Sequence, residues 1–80
     1  MESKSAIERL EDAKRMGEEA YDGMYEAGSF SAATAFYSDA KEAFYDAIRT
    51  AAKLGLNEEV QALEKRLAHI KAVFRSQFSS

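Results

Sequence analysis

The one histidine of the chain, His69, is the only imidazole that could serve a proton transfer or a metal. Helical spacing sets it opposite an apolar seam of Val60, Leu63, Leu67, Ile70 and Phe74, which puts it on the solvent side. There is no cysteine, so neither a disulfide framework nor a thiolate metal site can form. A carboxylate-bridged di-metal bundle would need inward glutamates with Glu-x-x-His pairs, and the sequence contains no such pair. No glycine-rich loop leads into a helix to cradle a phosphate, and no serine or threonine has a base beside it in sequence. The expectation is a non-enzymatic chain with no catalytic, metal-ligating or cofactor-binding residue.

Carboxylates are the most abundant reactive groups. Glu8, Glu11, Asp12, Glu18, Glu19, Asp22 and Glu26 crowd the first third of the chain, where acids outnumber bases. Pairs four apart such as Glu11 and Arg15 read as an ordinary solvated helix face. Asp22 and Glu26 fall near the end of that helix, however, where negative charge opposes the helix dipole. Glu18, Glu19, Asp22 and Glu26 therefore form a candidate acidic surface for a basic partner. A formal net charge of −3 and an isoelectric point near 5.1 argue against nucleic acid, whose phosphates call for a basic footprint.

Apolar residues at the margins of the helical stripes make a second candidate. Ile7 and Tyr25 share one edge of the first helix, while Tyr45, Ala52 and Val73 lie off the main faces of the other two. If the second and third helices splay, Tyr45, Ile48, Ala52, Leu63 and Val73 floor a shallow groove for a helix or extended peptide. The competing reading is that amphipathic tyrosines sit half-buried at core edges.

The elements that position these residues are three helices, predicted at residues 5–27, 30–54 and 57–77 of a single 80-residue domain. At this length one core is all the chain can build, with a net stability of about 4 to 12 kcal/mol. Ser5 with Glu8 three residues on is a capping box. It opens a stripe of Ala6, Leu10, Ala13, Gly17, Ala20, Tyr21, Met24 and Ala27, and Gly28 offers a left-handed stop. Ser29 or Ser31 caps a second helix whose apolar face is Ala33, Phe36, Tyr37, Ala40, Phe44, Ala47, Ile48, Ala51 and Leu54. Gly55 and Leu56 stop it, Asn57 is placed as the next N-cap, and Glu58 and Glu59 suit the start of the third helix. The third seam alternates steps of three and four and would continue to Phe78. Turns this short make the neighbours antiparallel, so the predicted fold is an all-α three-helix bundle.

In "EAGSFSAATAFYSDAKEAF", Ala33 and Ala40 let a neighbouring helix approach, and Phe36, Tyr37 and Phe44 fill the space beside that contact. Gly17, Ala13 and Ala20 make the matching smooth face. The run Gly28, Phe30, Ala33, Tyr37, Ala40 resembles the turn and second helix of a tetratricopeptide repeat. It resembles equally the microtubule-interacting and trafficking (MIT) domain, a three-helix bundle, over about Ile7 to Phe74. The end of the third helix, "HIKAVFRSQF", departs from that family's tyrosine followed by Arg-Ala-Glu. The resemblance implies a domain that holds a helical or extended tail of another protein between two helices.

The leading expectation is thus a cytoplasmic, non-catalytic module for a protein or peptide partner, without a transmembrane segment and without nucleic acid. The alternatives are a homodimer, in which Leu63, Leu67, Ile70, Phe74 and Phe78 meet their symmetry mates, and a small regulatory subunit.

Overall fold

The computed structural model describes residues 5–78, with only the backbone described at Phe78. Three helices run in order, α1 (Ala6–Glu26), α2 (Phe30–Lys53) and α3 (Asn57–Phe78), each antiparallel to the one before. The fold is an all-α three-helix bundle, and no strand occurs among the described residues. No helix among them is long and apolar enough to cross a membrane.

Local chemistry sets the helix ends. At the start of α1 the Ser5 hydroxyl accepts from the Glu8 amide at 3.2 Å and the Glu8 carboxylate accepts from the Ser5 amide at 3.0 Å, completing the capping box. Ser29, rather than Ser31, caps α2, accepting from the Ala32 amide at 3.1 Å. The predicted left-handed stop at Gly28 does not form. Here α1 ends at Ala27, whose extended φ of −62° and ψ of 139° turn the chain directly toward Ser29. Gly55, by contrast, has φ +74°. Its amide bonds the Ala52 carbonyl and the Leu56 amide reaches back to Ala51, each at 3.0 Å, which is the Schellman arrangement. Asn57 is the first residue of α3 rather than its cap, because the Leu56 carbonyl already accepts from the Val60 amide.

The core follows from how closely α1 and α2 can approach. Gly17 lies under the ring of Phe44 and Gly23 under that of Phe36; a Cβ on either glycine would come within 2.6 Å of ring carbon. Ala33, Ala40, Ala47 and Ala51 are fully buried on α2, and Leu10, Ala13, Tyr21 and Met24 are buried on α1. From α3, Leu63, Leu67 and Ile70 close the other side. Burying each large side chain here contributes roughly 1.5 to 3 kcal/mol before chain entropy is counted.

Of the residues assigned to the core, Ala6 and Phe36 are exposed, while Ala27, Tyr37, Ile48, Leu54, Val60 and Phe74 are half-buried against it. Ala6 is exposed because it lies in the first turn, beyond the reach of α3. Phe36 is 38% exposed, its ring lying against Gly23 and lining the side of the hairpin that α3 does not cover. Phe74 is half-buried, stacked on Tyr37 with centroids 4.0 Å apart and planes within 1°. The predicted extension of the seam to the Phe78 side chain lies outside the described residues.

A candidate partner-binding groove

The acidic surface expected on α1 is divided by the structure. Glu18 turns to α3, where its carboxylate accepts from Arg66 Nε at 2.8 Å and Nη2 at 2.7 Å. Arg66 also lies 4.9 Å from the centroid of Tyr21. This bidentate bond holds the Arg66 guanidinium above its ordinary range. Burial pushes the Tyr21 phenol up as well, against the lowering effect of Arg66. One turn toward the N-terminus of α1, Lys14 meets Glu59 at 3.0 Å, and that hydrogen bond raises the lysine. Glu18 is therefore a strap between α1 and α3. Asp22 and Glu26 are exposed near the end of α1, and Glu19 points to the opposite side, with Arg15 3.9 Å away.

The five residues expected to floor an α2–α3 groove do not come together as one surface. Leu63 is core, 4% exposed, and Ile48 and Val73 are half-buried against that core. Ala52 is exposed on α2. Tyr45, 43% exposed, crosses to α3, where its hydroxyl accepts from Lys71 Nζ at 2.8 Å. That contact pulls the Tyr45 phenol down and the Lys71 ammonium up. Leu67 and Ile70 are buried with Leu63, so three members of the strip expected to meet a symmetry mate lie inside the bundle, and Phe74 is half-buried. His69 is exposed as expected, its ring 6.3 Å from that of Tyr21.

An open groove lies instead between α1 and α2, on the side that α3 leaves uncovered. It encloses about 910 Å³ and no residue of α3 lines it. Its floor is made of short side chains, Ala13 and Ala20 from α1 and Ala43 from α2. Met16, 57% exposed, and Phe36 stand as apolar walls, with Tyr45 at the far edge of α2. Around them are Glu19 from α1 and Asp39, Glu42, Asp46 and Arg49 from α2.

Sequence reasoning missed this groove because it spent Phe36 in the core and gave Met16 and Gly23 no role. The signal was present: Met16 on the α2-facing edge of α1, and Phe36, Ala43 and Asp39 on the α1-facing edge of α2. A shallow depression of Gly55, Leu56, Asn57, Glu58 and Glu59 lies at the α2–α3 turn, and Met24, Tyr25, Val73 and Gln77 bound a notch between α1 and α3 that is too tight for a water molecule. Among the described residues no three His, Cys, Asp or Glu side chains gather to hold a metal ion.

The larger groove can do one thing well. An apolar trough with small residues along its bottom admits the ridge of another helix, as the opposite side of the same hairpin admits α3. No protein-family model matches the chain, no curated protein is significantly similar to it, and no solved structure matches it.

Proposed function

We propose that this chain is a non-catalytic interaction module that docks a helical segment of a partner protein in the groove between α1 and α2. The observation that carries the reading is Met16 and Phe36 standing exposed over a floor of three alanines, beside a core already closed by α3. Exposed single apolar residues are ordinary, but walls around a concave floor are a docking geometry. Resemblance to MIT and tetratricopeptide hairpins favours the same class of function. The groove on this chain lies on the α1–α2 side, not the α2–α3 side that residue spacing suggested.

The test is selection of helical peptides from a random displayed library on the folded chain, followed by two exposed substitutions. Met16→Gln and Tyr45→Ser should each weaken the selected peptides about tenfold, the order expected for losing a buried side chain's contact. Met16→Gln should leave the melting temperature within about 2 °C, because surface substitutions away from packed features change little. Tyr45→Ser also removes the exposed Lys71 contact and should lower it by a few degrees at most. Peptides that ignore both substitutions and map to the Met24, Tyr25, Val73 and Gln77 notch would overturn the proposal. So would a concentration-dependent dimer blocked by Met16→Gln, which would make the groove a self-association surface.

A further inference from the structure

Resting on that reading, we infer that the helix the groove accepts is basic, carrying lysine or arginine along the edge that faces α2. Four carboxylates line the groove, Glu19 on the α1 bank and Asp39, Glu42 and Asp46 on the α2 bank, against one guanidinium, Arg49. Arg49 lies 3.5 Å from Asp46, and Arg15, outside the lining, is 3.9 Å from Glu19. Asp39 and Glu42 form no ion pair among the described residues. The α2 bank is thus net negative, the Glu19 charge on the α1 bank is met by Arg15, and the two uncompensated carboxylates, Asp39 and Glu42, are adjacent.

Their spacing selects a helix as well as a sign. Asp39, Glu42 and Asp46 follow steps of three and four along one edge of α2, a row rising about 10 Å. A partner helix lying along the groove presents its own residues at the same period, so cations three and four apart meet that row while its apolar stripe covers Met16 and Phe36. The lining on α2 runs from Phe36 to Arg49, about 20 Å, which a helix of roughly 13 residues spans. A second copy of this chain docking groove to groove is disfavoured because it would set two acidic α2 banks against each other. An acidic peptide meets the same repulsion.

The experiment uses the full chain, labelled with nitrogen-15, and two synthetic peptides of about 14 residues with identical leucine and isoleucine stripes. One carries lysine and arginine on its flanks and the other glutamate. The basic peptide should bind at least tenfold tighter at about 0.05 M salt, shift the amide signals of Met16, Phe36 and Ala43, and lose much of its advantage at about 0.3 M, where screening is stronger. The double substitution Asp39→Asn with Glu42→Gln should weaken it roughly three- to tenfold, as expected for two exposed ion pairs. The charge-matched pair Asp22→Asn with Glu26→Gln, away from the groove, should weaken it less than twofold.

Equal affinity of both peptides for the groove, or an equal loss from both pairs of substitutions, would overturn the charge inference while leaving helix docking intact. Absence of shifts in the groove with either peptide would remove the docking reading and this inference together.

Discussion

Replacing Gly17 and Gly23 by alanine, one at a time, separates two effects that sequence alone makes look identical. Both glycines sit inside α1, where alanine should gain about 1 kcal/mol of helix propensity. Both face an aromatic ring at nearly the same distance, with the new Cβ 2.6 Å from Phe44 Cε2 in one case and 2.6 Å from Phe36 Cδ1 and Cε1 in the other. Ordinary contact begins near 3.4 Å, so either ring must retreat by close to an ångström. What differs is where the ring can go. Phe44 is 1% exposed and walled in by buried residues of all three helices, so the overlap becomes packing strain of about 1 to 3 kcal/mol. Phe36 is 38% exposed and can swing outward.

Gly17→Ala should therefore lose stability by about 1 kcal/mol net, lowering the melting temperature by roughly 4 to 8 °C in a domain of this size. Gly23→Ala should be neutral or stabilising by up to about 1 kcal/mol. Urea unfolding followed by circular dichroism at the helix band measures both, and adding Phe44→Leu should recover part of the Gly17→Ala loss if the two positions are coupled. If Gly17→Ala stabilises the chain by the full propensity gain, close approach of α1 to Phe44 is not what organises this core.

Two more outcomes rest on single contacts. Tyr45 should ionise below the ordinary tyrosine range, because the Lys71 ammonium donates to its oxygen and favours the phenolate. At a pH just under 10 it should then carry more phenolate than a free tyrosine. Ultraviolet or ring-carbon NMR titration should show the phenol returning upward in Lys71→Met, and an unchanged titration would mean that the contact does not persist in solution. Gly55→Ala should cost about 1 kcal/mol in unfolding experiments, since φ +74° strains any residue with a Cβ even though open space surrounds it; a neutral result would show that the α2–α3 turn has other ways to form.

Helix existence and ends were legible because they depend on neighbours in sequence. Ser5 with Glu8, Ser29, and Gly55 with Leu56 each make their bonds within a few residues, and the predicted spans match the observed helices to within one residue at each end. Gly28 misled because a left-handed stop is only one way to leave a helix. An extended Ala27 achieves the same reversal, with Ser29 in place to cap α2. The candidate site was less legible for a different reason. Which side of a hairpin the third helix covers is a matter of contacts between residues distant in sequence, such as Gly17 against the Phe44 ring and Gly23 against the Phe36 ring, which spacing alone does not reveal. With Leu63, Leu67 and Ile70 of α3 taken into the core, Met16, Phe36 and Tyr45 stay exposed on the α1–α2 side, as Ile7, Tyr25, Phe30 and Leu56 do elsewhere on the surface. The Glu18 strap to Arg66 was invisible in sequence because its partners are far apart along the chain.

Phe36 ties the stability of the hairpin to the proposed docking function. Its ring lies against Gly23 and also lines the groove, so the position of the ring depends on the residue beneath it. The small residues Ala13, Ala20 and Ala43 line the groove together with its charged banks, and Ala13 and Ala20 are themselves buried. A Cβ at position 23 would leave the floor untouched and move one wall. Gly23→Ala should thus be at least as stable as the parent chain while binding a groove-directed helix more weakly, an opposition that no loss of folding can mimic. If the variant keeps full affinity, Phe36 is only a cover for Gly23, and the apolar recognition falls to Met16 and Tyr45.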